Sequence, residues 1–487
     1  AACSTASASG VDGVKFTVCP SGCDYTSIQD AIDNAFAPST IVVKAGTYNE
    51  HKINTKGLPY TITGEVASDG TLLTTISGAD FHVDENSSVF YFDSGETSAT
   101  VIQNLKIEGG NAHGYAGGIQ VFNSSPTIRS CTITGNSALY RNFGSAENNP
   151  SGGGIYLSNS DSLIEDCTIT DNAVQWEGDK DAHGGGIFYK DGSPTLSGCR
   201  ITDNCIYHTG SDPCKGDCGE SGKCGQAEGM GIAADGATLT ITDCVIEGNT
   251  VQGQYTTSCN TNASQTASSG GGLSFDDCTV SITDTVISNN WARLYGGIVA
   301  YDGTTIELFR CEISGNNDTG IYLEENVEGT MSECLVDSNT NAGISVYEAS
   351  LTLNDSVITG NSIGVDAGES ASFEILRTVI KDNSYGGGQG GISLSSADSS
   401  TSLTLSESHL CGNPVGSAGA LYSNQVNTGY PSRQVSVDKG TVVSGSCQLT
   451  ISVEQDGTGD FTNIQDAIDA APIGARSEEH TSELQSR

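Results

Sequence analysis

Basic residues are scarce in this chain of 487 residues, and so are methionine, tryptophan and proline. Only 20 Lys and Arg stand against 59 Asp and Glu, which gives a formal net charge of -39. Such an acidic surface repels nucleic-acid phosphates and anionic membrane surfaces, so nucleic acid is excluded as a partner. No run of 18 apolar residues occurs either, which excludes membrane insertion by a helix. Cations, glycans and other proteins remain as partners.

Glycine and cysteine, by contrast, are abundant, with 62 and 17 residues. So many glycines argue against a helical bundle, because glycine weakens helices. A cysteine-rich, acidic chain is typical of oxidising compartments, which favours an extracellular or cell-surface location. The odd number of cysteines leaves at least one outside intramolecular disulfides. The first residues lack Met and an apolar signal segment, so we interpret them as the start of a mature product or of a fragment.

A short repeat occupies most of the chain from residue 131 onward. Its ten copies contain hexapeptides such as CTITGN, CRITDN and SVITGN, and the closest copies are 22 residues apart. The segment LKIEGG, from Leu105, resembles a degenerate earlier copy. Each of the ten copies ends in Asn, at Asn136, Asn172, Asn204, Asn249, Asn290, Asn316, Asn339, Asn361, Asn383 and Asn413.

Three columns of apolar residues recur with the same period. One column lies two residues after the Cys position of the hexapeptide, a second lies three residues before it, and a third follows the glycine pairs. Short runs with alternating apolar positions are typical of strands with one buried face. The pattern therefore predicts an all-β fold, a parallel β-helix with three strands per coil and about 11 coils.

The repeated asparagines have a structural explanation. Asn tolerates turn conformations, and amides that stack one rung apart can hydrogen-bond along the axis, donor to acceptor. Active sites break a repeat instead of following it. We therefore predict that these residues form a structural Asn ladder.

Six cysteines share one position of the repeat and form a predicted Cys ladder: Cys131, Cys167, Cys199, Cys244, Cys311 and Cys334. Two interpretations remain open, small buried apolar residues or strained disulfides between rungs. Thr or Ser fills the same position in the other copies, so sulfur is not required there.

The remaining cysteines include several in turns and long insertions. We predict loop disulfides among Cys19, Cys23, Cys205, Cys214, Cys218, Cys224 and Cys259. A zinc site made by Cys214, Cys218 and Cys224 is the alternative, although no regular CxxC pair is present.

The residue before the Cys position is charged in most copies. Arg310 and Arg377 each fall between acidic neighbours in this series, and opposite charges on adjacent strands stabilise a sheet. We therefore predict a structural role for this column. Asp243 and Asp284 have no basic residue between them, so bound Ca²⁺ is the alternative there to a solvated acidic face.

Nearly all insertions fall between the ladder Asn and the next glycine pair. Because this corner recurs at one side of a β-helix, the long loops cluster, and we predict an interaction surface on that side. Four aromatic residues in these segments are candidates for glycan binding: Tyr140, Trp176, Tyr207 and Tyr255.

The two ends of the chain carry related segments. Residues 24–36 predict an amphipathic helix with a Thr26 and Gln29 capping box, which we expect to cover the N-terminal end of the β-helix. Residues 460–469 repeat that sequence almost unchanged. We therefore predict a tail at 1–13, a β-helix domain at 14–448 with the helix near 26–36, and the start of a second β-helix unit at 449–475. Residues 476–487 back-translate to a common sequencing-adapter read, and we interpret them as an artefact.

Five Asn-X-Ser/Thr sequons are candidate N-glycosylation sites: Asn86, Asn123, Asn262, Asn317 and Asn354. In a chain so rich in Ser and Thr, chance is the alternative explanation. Asn262 and Asn317 lie in predicted loops, which makes them the best acceptors.

These patterns resemble a known superfamily. Residues 14–448 resemble the pectin-lyase-like right-handed β-helix proteins, and the glycine pairs followed by CxIxxN resemble the repeats of polymorphic outer-membrane and other cell-surface proteins. The segment VEQDGTGDFTNIQDAIDAAP resembles the opening of pectin methylesterases. The resemblance implies a right-handed β-helix, but this fold hosts lyases, hydrolases, esterases, adhesins and fibres.

Catalytic motifs of those enzymes are missing from the sequence. It contains neither the DFIFG-like and GRPW-like segments of the esterases nor the paired Asp, GHG and RIK pattern of polygalacturonases. Asp276 and Asp277 are adjacent acids without an accompanying His or Arg motif. We therefore predict no catalytic residue and no required cofactor, with Ca²⁺ as an optional ligand.

Three functions follow as hypotheses. The first is a secreted, non-enzymatic structural or adhesive protein of a cell surface or extracellular filament, built from tandem β-helix units. Its partners would be its own copies or other surface proteins. The alternatives are a polysaccharide-active enzyme of the pectin esterase or lyase type and a glycan-binding module.

Overall fold

The structure is a computed structural model. It describes residues 13–79, 88–139, 149–176, 181–208, 226–252, 268–384, 390–394, 400–413, 420–421, 426–427, 434–437 and 441–444. The chain divides into two compact units, Ala1–Glu328 and Gly329–Arg487, here called unit 1 and unit 2. The strand Glu328–Ser332 lies at the division between them.

Unit 1 contains three long parallel sheets in which strand order follows chain order. Sheet A consists of Val14–Val18, Ser39–Val43, Tyr60–Gly64, Val101–Gln103, Thr127–Arg129, Leu163–Glu165, Thr195–Ser197, Thr238–Thr242, Thr279–Thr283 and Thr305–Phe309. Sheet B consists of Gly46–Asn49, Thr74–Ser77, Lys106–Glu108, Thr132–Thr134, Thr168–Thr170, Arg200–Thr202, Val245–Glu247, Val286–Ser288 and Glu312–Ser314. Sheet C consists of Phe90–Phe92, Ile119–Phe122, Ile155–Ser158, Ile187–Lys190, Ile232–Asp235, Leu273–Asp276, Ile298–Tyr301 and Ile321–Leu323.

Two smaller parallel sheets flank them in unit 1. The first, the side sheet, consists of Asn111–His113, Ser137–Leu139, Ala173–Trp176, Cys205–His208 and Thr250–Gln252. The second, the wall sheet, consists of Ala182–His183, Ala227–Glu228 and Ser268–Ser269.

Unit 2 repeats the three-sheet pattern in its own strands. One sheet consists of Ser350–Asn354, Ser372–Leu376, Ser402–Ser406 and Gln434–Val437, and a second of Leu335–Asp337, Val357–Thr359, Val379–Lys381, His409–Cys411 and Val442–Ser444. The third consists of Ala342–Val346, Ile363–Ala367, Ile392–Ser393 and Val426–Asn427, with Ala420–Leu421 antiparallel to the last.

The predicted apolar columns form the core. Ile128, Ile133 and Ile119 are fully buried and represent sheets A, B and C. Each pairs in register with the isoleucine of the next rung, as Ile128 does with Ile164. Each strand buries one apolar residue in each rung, and together these residues fill the interior and exclude water from it. The fold therefore needs no central helix. The predicted parallel β-helix is confirmed.

Left-handed backbone conformations form two of the corners. The residue before each Cys position has φ between 47° and 64°: Ser130, Asp166, Gly198, Asp243, Asp284, Arg310, Glu333, Asp355, Arg377 and Glu407. The residue before each ladder Asn has φ between 53° and 67°: Gly135, Asp171, Asp203, Gly248, Asn289, Gly315, Ser338, Gly360, Asp382 and Gly412. Gly, Asp and Asn adopt this conformation at least cost, which explains much of the composition at these corners.

The ladder asparagines do not take that conformation themselves. Among the described residues with positive φ, none of the ten occurs. The turn argument for these residues is therefore wrong, because the preceding residue makes the turn. Their repetition rests on hydrogen bonding alone.

Each ladder residue is at most 2 % exposed. The Nδ2 group of Asn172 donates to Oδ1 of Asn204 at 3.0 Å and to the Ile133 carbonyl at 2.9 Å. The same Oδ1 of Asn204 accepts the backbone N–H of Asn172 at 3.1 Å. Gly110, in the degenerate copy, begins this series by donating its N–H to Oδ1 of Asn136. In unit 2 the series runs from Asn339 through Asn361 and Asn383 to Asn413.

The cysteines of the predicted Cys ladder are buried thiols. Their Sγ atoms donate to the carbonyl two residues earlier, as Cys199 does to Ser197 at 3.3 Å. Cys199 and Cys244 also accept the N–H of the cysteine in the preceding rung, at 3.3 and 3.4 Å. Thr285 takes the same two roles with its hydroxyl. Neither sequence interpretation included this second hydrogen-bonded series.

Two ion pairs occur in the charged corner column. Arg310 donates to both carboxylate oxygens of Asp284 at 2.6 Å, and Arg377 does the same to Asp355 at 2.6 and 2.7 Å. These hydrogen bonds hold the pKa of each aspartate below its usual range. The predicted cross-strand pairing of these two arginines is confirmed, and the interpretation of Asp284 as an uncompensated neighbour of Asp243 is wrong because Arg310 neutralises it.

The helix near the N-terminus spans Ile28–Asn34. Its N-cap is Ser27, whose hydroxyl accepts the N–H of Asp30 at 3.1 Å. The N-cap therefore lies one residue after the predicted Thr26, and the Gln29 amide donates to Asp33 and to the Asn54 carbonyl instead of closing a capping box.

One face of this helix packs on the first strands of sheet A. Ile28, Ala31 and Ile32 are buried there, and the Glu50 carboxylate accepts the N–H of Ile28 at 2.8 Å. Its role as a cap remains a prediction. Among the described residues, no helix has the length and apolar character to cross a membrane.

Candidate functional site

The outer face of sheet C in unit 1 carries the most varied chemistry of the described surface. Strand residues alternate between the interior and this face. The outward positions form two columns along the rungs. The first column contains Gln120, Tyr156, Phe188, Ala233, Ser274, Val299 and Tyr322, and the second contains Phe122, Ser158, Lys190, Asp235, Asp276 and Tyr301.

Aromatic residues cover the N-terminal half of this face. We define the aromatic patch as Tyr91, Tyr115, Phe122, Tyr156 and Phe188. The Tyr156 ring lies 4.4 Å from Tyr115, 5.3 Å from Phe122 and 5.6 Å from Phe188, between ring centroids. Tyr156 and Phe188 are 7 % exposed, whereas the other three are half-buried. The patch therefore has a packed base and partly open rings above it.

Charged residues follow immediately along the second column. We define the acidic stripe as Lys190, Asp235, Asp276 and Asp302. Lys190, Asp235 and Asp276 lie opposite one another on successive strands, and Lys190 forms an ion pair with Asp235. Burial lowers the pKa of Lys190, but the Asp235 carboxylate outweighs it and raises that pKa overall. The one lysine of the stripe is thus already neutralised, and the stripe remains acidic.

Asp276 has the most altered titration of these groups. Desolvation and the neighbouring Asp302 and Asp235 carboxylates raise its pKa to about 6. Neighbouring carboxyl groups resist simultaneous ionisation, so Asp276 takes up a proton at a higher pH than an isolated aspartate does. Such a site can both donate and accept hydrogen bonds.

The wall sheet borders the same face. His183 Nδ1 lies 3.5 Å from Oε2 of Glu228, and the His183 ring lies 5.5 Å from Phe188. Ser269 follows Glu228 on the next rung of this sheet and is 5 % exposed. These residues add polar groups beside the aromatic patch and the acidic stripe.

Three tyrosines lie at the C-terminal end of the acidic stripe. Tyr295 stacks on Tyr322 with ring centroids 3.6 Å apart and an interplanar angle of 10°. Tyr301 meets Tyr322 edge-on at 6.3 Å. Burial raises the pKa of all three phenols, so they stay protonated at neutral pH.

The predicted loop disulfides are described only in part. Cys19 and Cys23 form a disulfide, and Cys205 is also disulfide-bonded. Cys411, which the sequence analysis did not single out, is disulfide-bonded as well. The other predicted members lie outside the described residues: Cys214, Cys218, Cys224 and Cys259.

The structure places three of the five sequons. Asn123 is exposed and follows sheet C, whereas Asn317 and Asn354 are half-buried. The Asn317 amide donates to the Ala292 carbonyl at 2.8 Å, which engages the nitrogen that glycosylation would modify. Asn86 and Asn262 lie outside the described residues.

Of the predicted glycan-binding aromatics, Tyr207 is the one whose side chain belongs to the described residues. Tyr207 is half-buried in the side sheet, where its hydroxyl lies 3.4 Å from Gln175. Tyr140, Tyr255 and the side chain of Trp176 lie outside the described part. The described residues contain no group of three His, Cys, Asp or Glu side chains suited to a metal ion.

Sequence reasoning missed the aromatic patch and the acidic stripe. In the sequence, these residues occupy the second and fourth positions after the glycine pairs: Tyr156, Phe188, Lys190, Asp235 and Asp276. The sequence analysis identified instead the apolar column directly after the glycine pairs, because that column repeats. The outward residues do not repeat, which is the property expected of a binding surface.

Comparison with known proteins agrees with this architecture. The model of the right handed beta helix region matches residues 65–265 and 228–380. Among curated proteins, no sequence matches this chain.

Several solved structures are similar in fold. Pectin methylesterase from carrot is 13% identical, with a TM-score of 0.36, and the match covers 62% of this chain and 84% of that one. The A-module of an Azotobacter vinelandii mannuronan C-5 epimerase is 11% identical, with a TM-score of 0.29 and coverage of 86% and 95%. Tailspike protein 3 of bacteriophage CBA120 is 12% identical, with a TM-score of 0.36 and coverage of 87% and 59%. Because the family model matches more than half of the sequence, this chain belongs to the right-handed β-helix family.

Proposed function

We propose that this chain is an extracellular, non-enzymatic adhesive protein that binds a polysaccharide along the outer face of sheet C. The observation that carries the proposal is the aromatic patch, which continues along the tube axis into the acidic stripe. Partly open rings accept the apolar face of a sugar, and carboxylates beside them accept its hydroxyl groups. This combination of stacking and hydrogen bonding suits carbohydrate better than an apolar ligand.

The rung spacing also suits an extended sugar chain. Successive rungs of a parallel β-helix are about 4.8 Å apart, close to the length of one pyranose unit. The first column is at most 7 % exposed, so a polysaccharide running along the axis meets the next residue of the second column with each sugar. The non-repeating order of aromatic and charged residues gives such a surface its specificity.

Charge selects among polysaccharides. The chain carries a net charge of -39, and the one lysine of the acidic stripe is paired with Asp235. A polyuronate would bring carboxylates next to carboxylates without a compensating cation, which is unfavourable. The ligand is therefore a neutral or an amino-sugar polysaccharide.

An extracellular location fits the cysteine chemistry. Cys19 pairs with Cys23, and Cys205 and Cys411 are also disulfide-bonded, which oxidising compartments favour.

Binding to insoluble polysaccharides tests the proposal. The purified chain is incubated with cellulose, chitin, chitosan and immobilised polygalacturonate, and the bound fraction is measured. Tyr115→Ala removes a ring that lies 4.4 Å from Tyr156, and Tyr207→Ala is a matched control in the side sheet. We expect binding to a neutral or amino-sugar polymer, lost in Tyr115→Ala and kept in Tyr207→Ala. Preferential binding to polygalacturonate, or to none of the four, would overturn the proposal.

One observation favours a second function, hydrolysis of the same polysaccharide. The raised pKa of Asp276, about 6, suits a general acid that protonates a glycosidic oxygen. Release of reducing ends by the wild type, abolished in Asp276→Asn, would support this enzyme. Binding without product release would support the adhesive function instead.

A further inference from the structure

Tyr295 departs from the pattern of its own rung. The residue three positions before each sheet C strand is Gly152, Gly184, Gly229 or Gly270 in the four preceding rungs, with φ between 60° and 67°. Tyr295 stands at the same position, before Ile298, and adopts φ 57°. A tyrosine in a left-handed conformation is strained, and neighbouring rungs show that glycine fits this corner without that strain.

Several contacts hold Tyr295 in this conformation. Its ring stacks on Tyr322 at 3.6 Å, and its N–H donates to the Asp318 carboxylate at 3.2 Å. Its carbonyl accepts the N–H of Gly271 at 3.2 Å, as the carbonyl of Gly184 accepts the N–H of Gly153 at 3.0 Å. That carbonyl bond is the one a glycine makes at this corner, and the ring is an addition to it.

The added ring lies at the end of the acidic stripe opposite the aromatic patch. Tyr322 beneath it is 5 % exposed, whereas Tyr295 is half-buried and keeps part of its ring open. From the Tyr156 strand to the Ile298–Tyr301 strand there are four rung steps, which corresponds to about 19 Å. The face therefore has aromatic surface at both ends of a charged middle.

We infer that Tyr295 is a polysaccharide-contacting residue and that the ligand spans at least the four rungs between it and Tyr156. This inference rests on the proposed function, because it assigns a second stacking position to the same binding face. It adds a length requirement: a sugar chain must reach from the aromatic patch across the acidic stripe to Tyr295. A dimer placed on the aromatic patch does not reach Tyr295, whereas a hexamer does.

Two substitutions at this position separate the ring from the backbone. Tyr295→Gly removes the ring and places in the corner the residue that four other rungs carry there. Tyr295→Phe keeps the stacking surface and removes only the hydroxyl. Tyr207→Ala in the side sheet serves as the control for loss of a half-buried tyrosine.

The experiment measures affinity by calorimetry for dimers and hexamers of β-1,4-linked glucose, N-acetylglucosamine and glucosamine, with circular dichroism melts of every variant. We expect Tyr295→Gly to weaken binding of the hexamer at least tenfold, and to leave binding of the dimer and the folded spectrum unchanged. Tyr295→Phe and Tyr207→Ala should retain the hexamer affinity.

Four results would overturn the inference. Equal hexamer affinity of wild type and Tyr295→Gly would show that the ring makes no contact, although the proposed function would stand. Equal loss for dimer and hexamer, or a large fall in melting temperature of Tyr295→Gly, would show that Tyr295 supports the fold and not the ligand. A wild type that binds none of the probes would overturn both the proposed function and this inference.

Discussion

Asn172 donates both its side-chain amide and its backbone N–H to a single oxygen, Oδ1 of Asn204, at 3.0 and 3.1 Å. The relationship recurs from rung to rung, so each amide oxygen accepts two hydrogen bonds from the rung before it. Because these groups are buried, water cannot replace a lost hydrogen bond, and an unpaired donor therefore destabilises the folded state. The ladder is therefore a continuous requirement of the interior, which explains its invariance within the chain.

Replacing one ladder residue should reveal this dependence. Asn204→Ala leaves the Nδ2 group and the N–H of Asn172 without their shared acceptor, so we expect the free energy of unfolding to fall by about 2 to 4 kcal/mol. Asn34→Ala makes the same chemical change on an exposed helical residue and should have little effect. Urea unfolding followed by circular dichroism measures both. Equal midpoints for the two variants would contradict the ladder's energetic role.

Periodicity in the sequence was sufficient to predict the fold. The apolar columns that contain Ile119, Ile128 and Ile133 recur at fixed distances from one another in every copy of the repeat. Three such columns predict three strands per coil. The predicted Cys ladder illustrates what periodicity leaves out. Cys199 and Thr285 make the same hydrogen bond with the preceding rung. A hydropathy pattern does not group them, because cysteine is apolar and threonine is polar.

The thiols of the Cys ladder should be chemically inert in the folded protein. Burial raises the pKa of the Cys167 thiol well above its usual value, and Cys167 is 1 % exposed. The thiolate is the reactive form, so both effects suppress alkylation. We expect iodoacetamide at neutral pH to leave Cys131, Cys167, Cys199 and Cys244 unmodified until urea unfolds the chain, as measured by mass spectrometry of peptides. Rapid labelling of the native protein would contradict this packing.

The outward face was harder to predict for a physical reason. Inward positions must all be apolar, whereas each outward residue is free to differ, so Lys190, Asp235 and Asp276 have no common sequence property. Their proximity follows only from the register that places them opposite one another on adjacent strands. Insertions of different length between these strands hide that register in the sequence.

A buried carboxylate makes stability depend on acid pH. Glu96 is 2 % exposed and accepts hydrogen bonds from Thr55, Gly57, Ser94 and Ser124 at 2.9 to 3.0 Å. Burial alone would raise the pKa of Glu96, but these hydrogen bonds outweigh it and lower that pKa. The folded-state pKa therefore lies below the unfolded-state pKa, and the carboxylate stabilises the fold at neutral pH.

That stabilisation should be present above the unfolded-state pKa and lost as the pH falls through the folded-state pKa. Glu96→Gln replaces acceptor oxygen with an amide donor, so we expect about 2 kcal/mol lower unfolding free energy at pH 7. The difference from the wild type should narrow as the pH falls from 7 and Glu96 becomes protonated. Denaturant titrations across this range test the sign. A difference in unfolding free energy that stays constant with pH would show that the shape of the Glu96 side chain, and not its charge, stabilises the fold.

The acidic stripe leads to a prediction about uronate polymers. Enzymes that act on pectin or alginate must neutralise substrate carboxylates, but here Lys190 is paired with Asp235, and Asp276 and Asp302 add further negative charge. We therefore expect no new reducing ends, no unsaturated products and no methanol from pectin, polygalacturonate or alginate. At pH 5, below the raised pKa of Asp276, protonation removes part of the repulsion, so pH 5 and pH 7 are both measured. Asp276→Asn is the control, because it keeps the shape of the side chain and removes its charge. Turnover of any of these polymers that Asp276→Asn abolishes would replace the adhesive function with an enzymatic one.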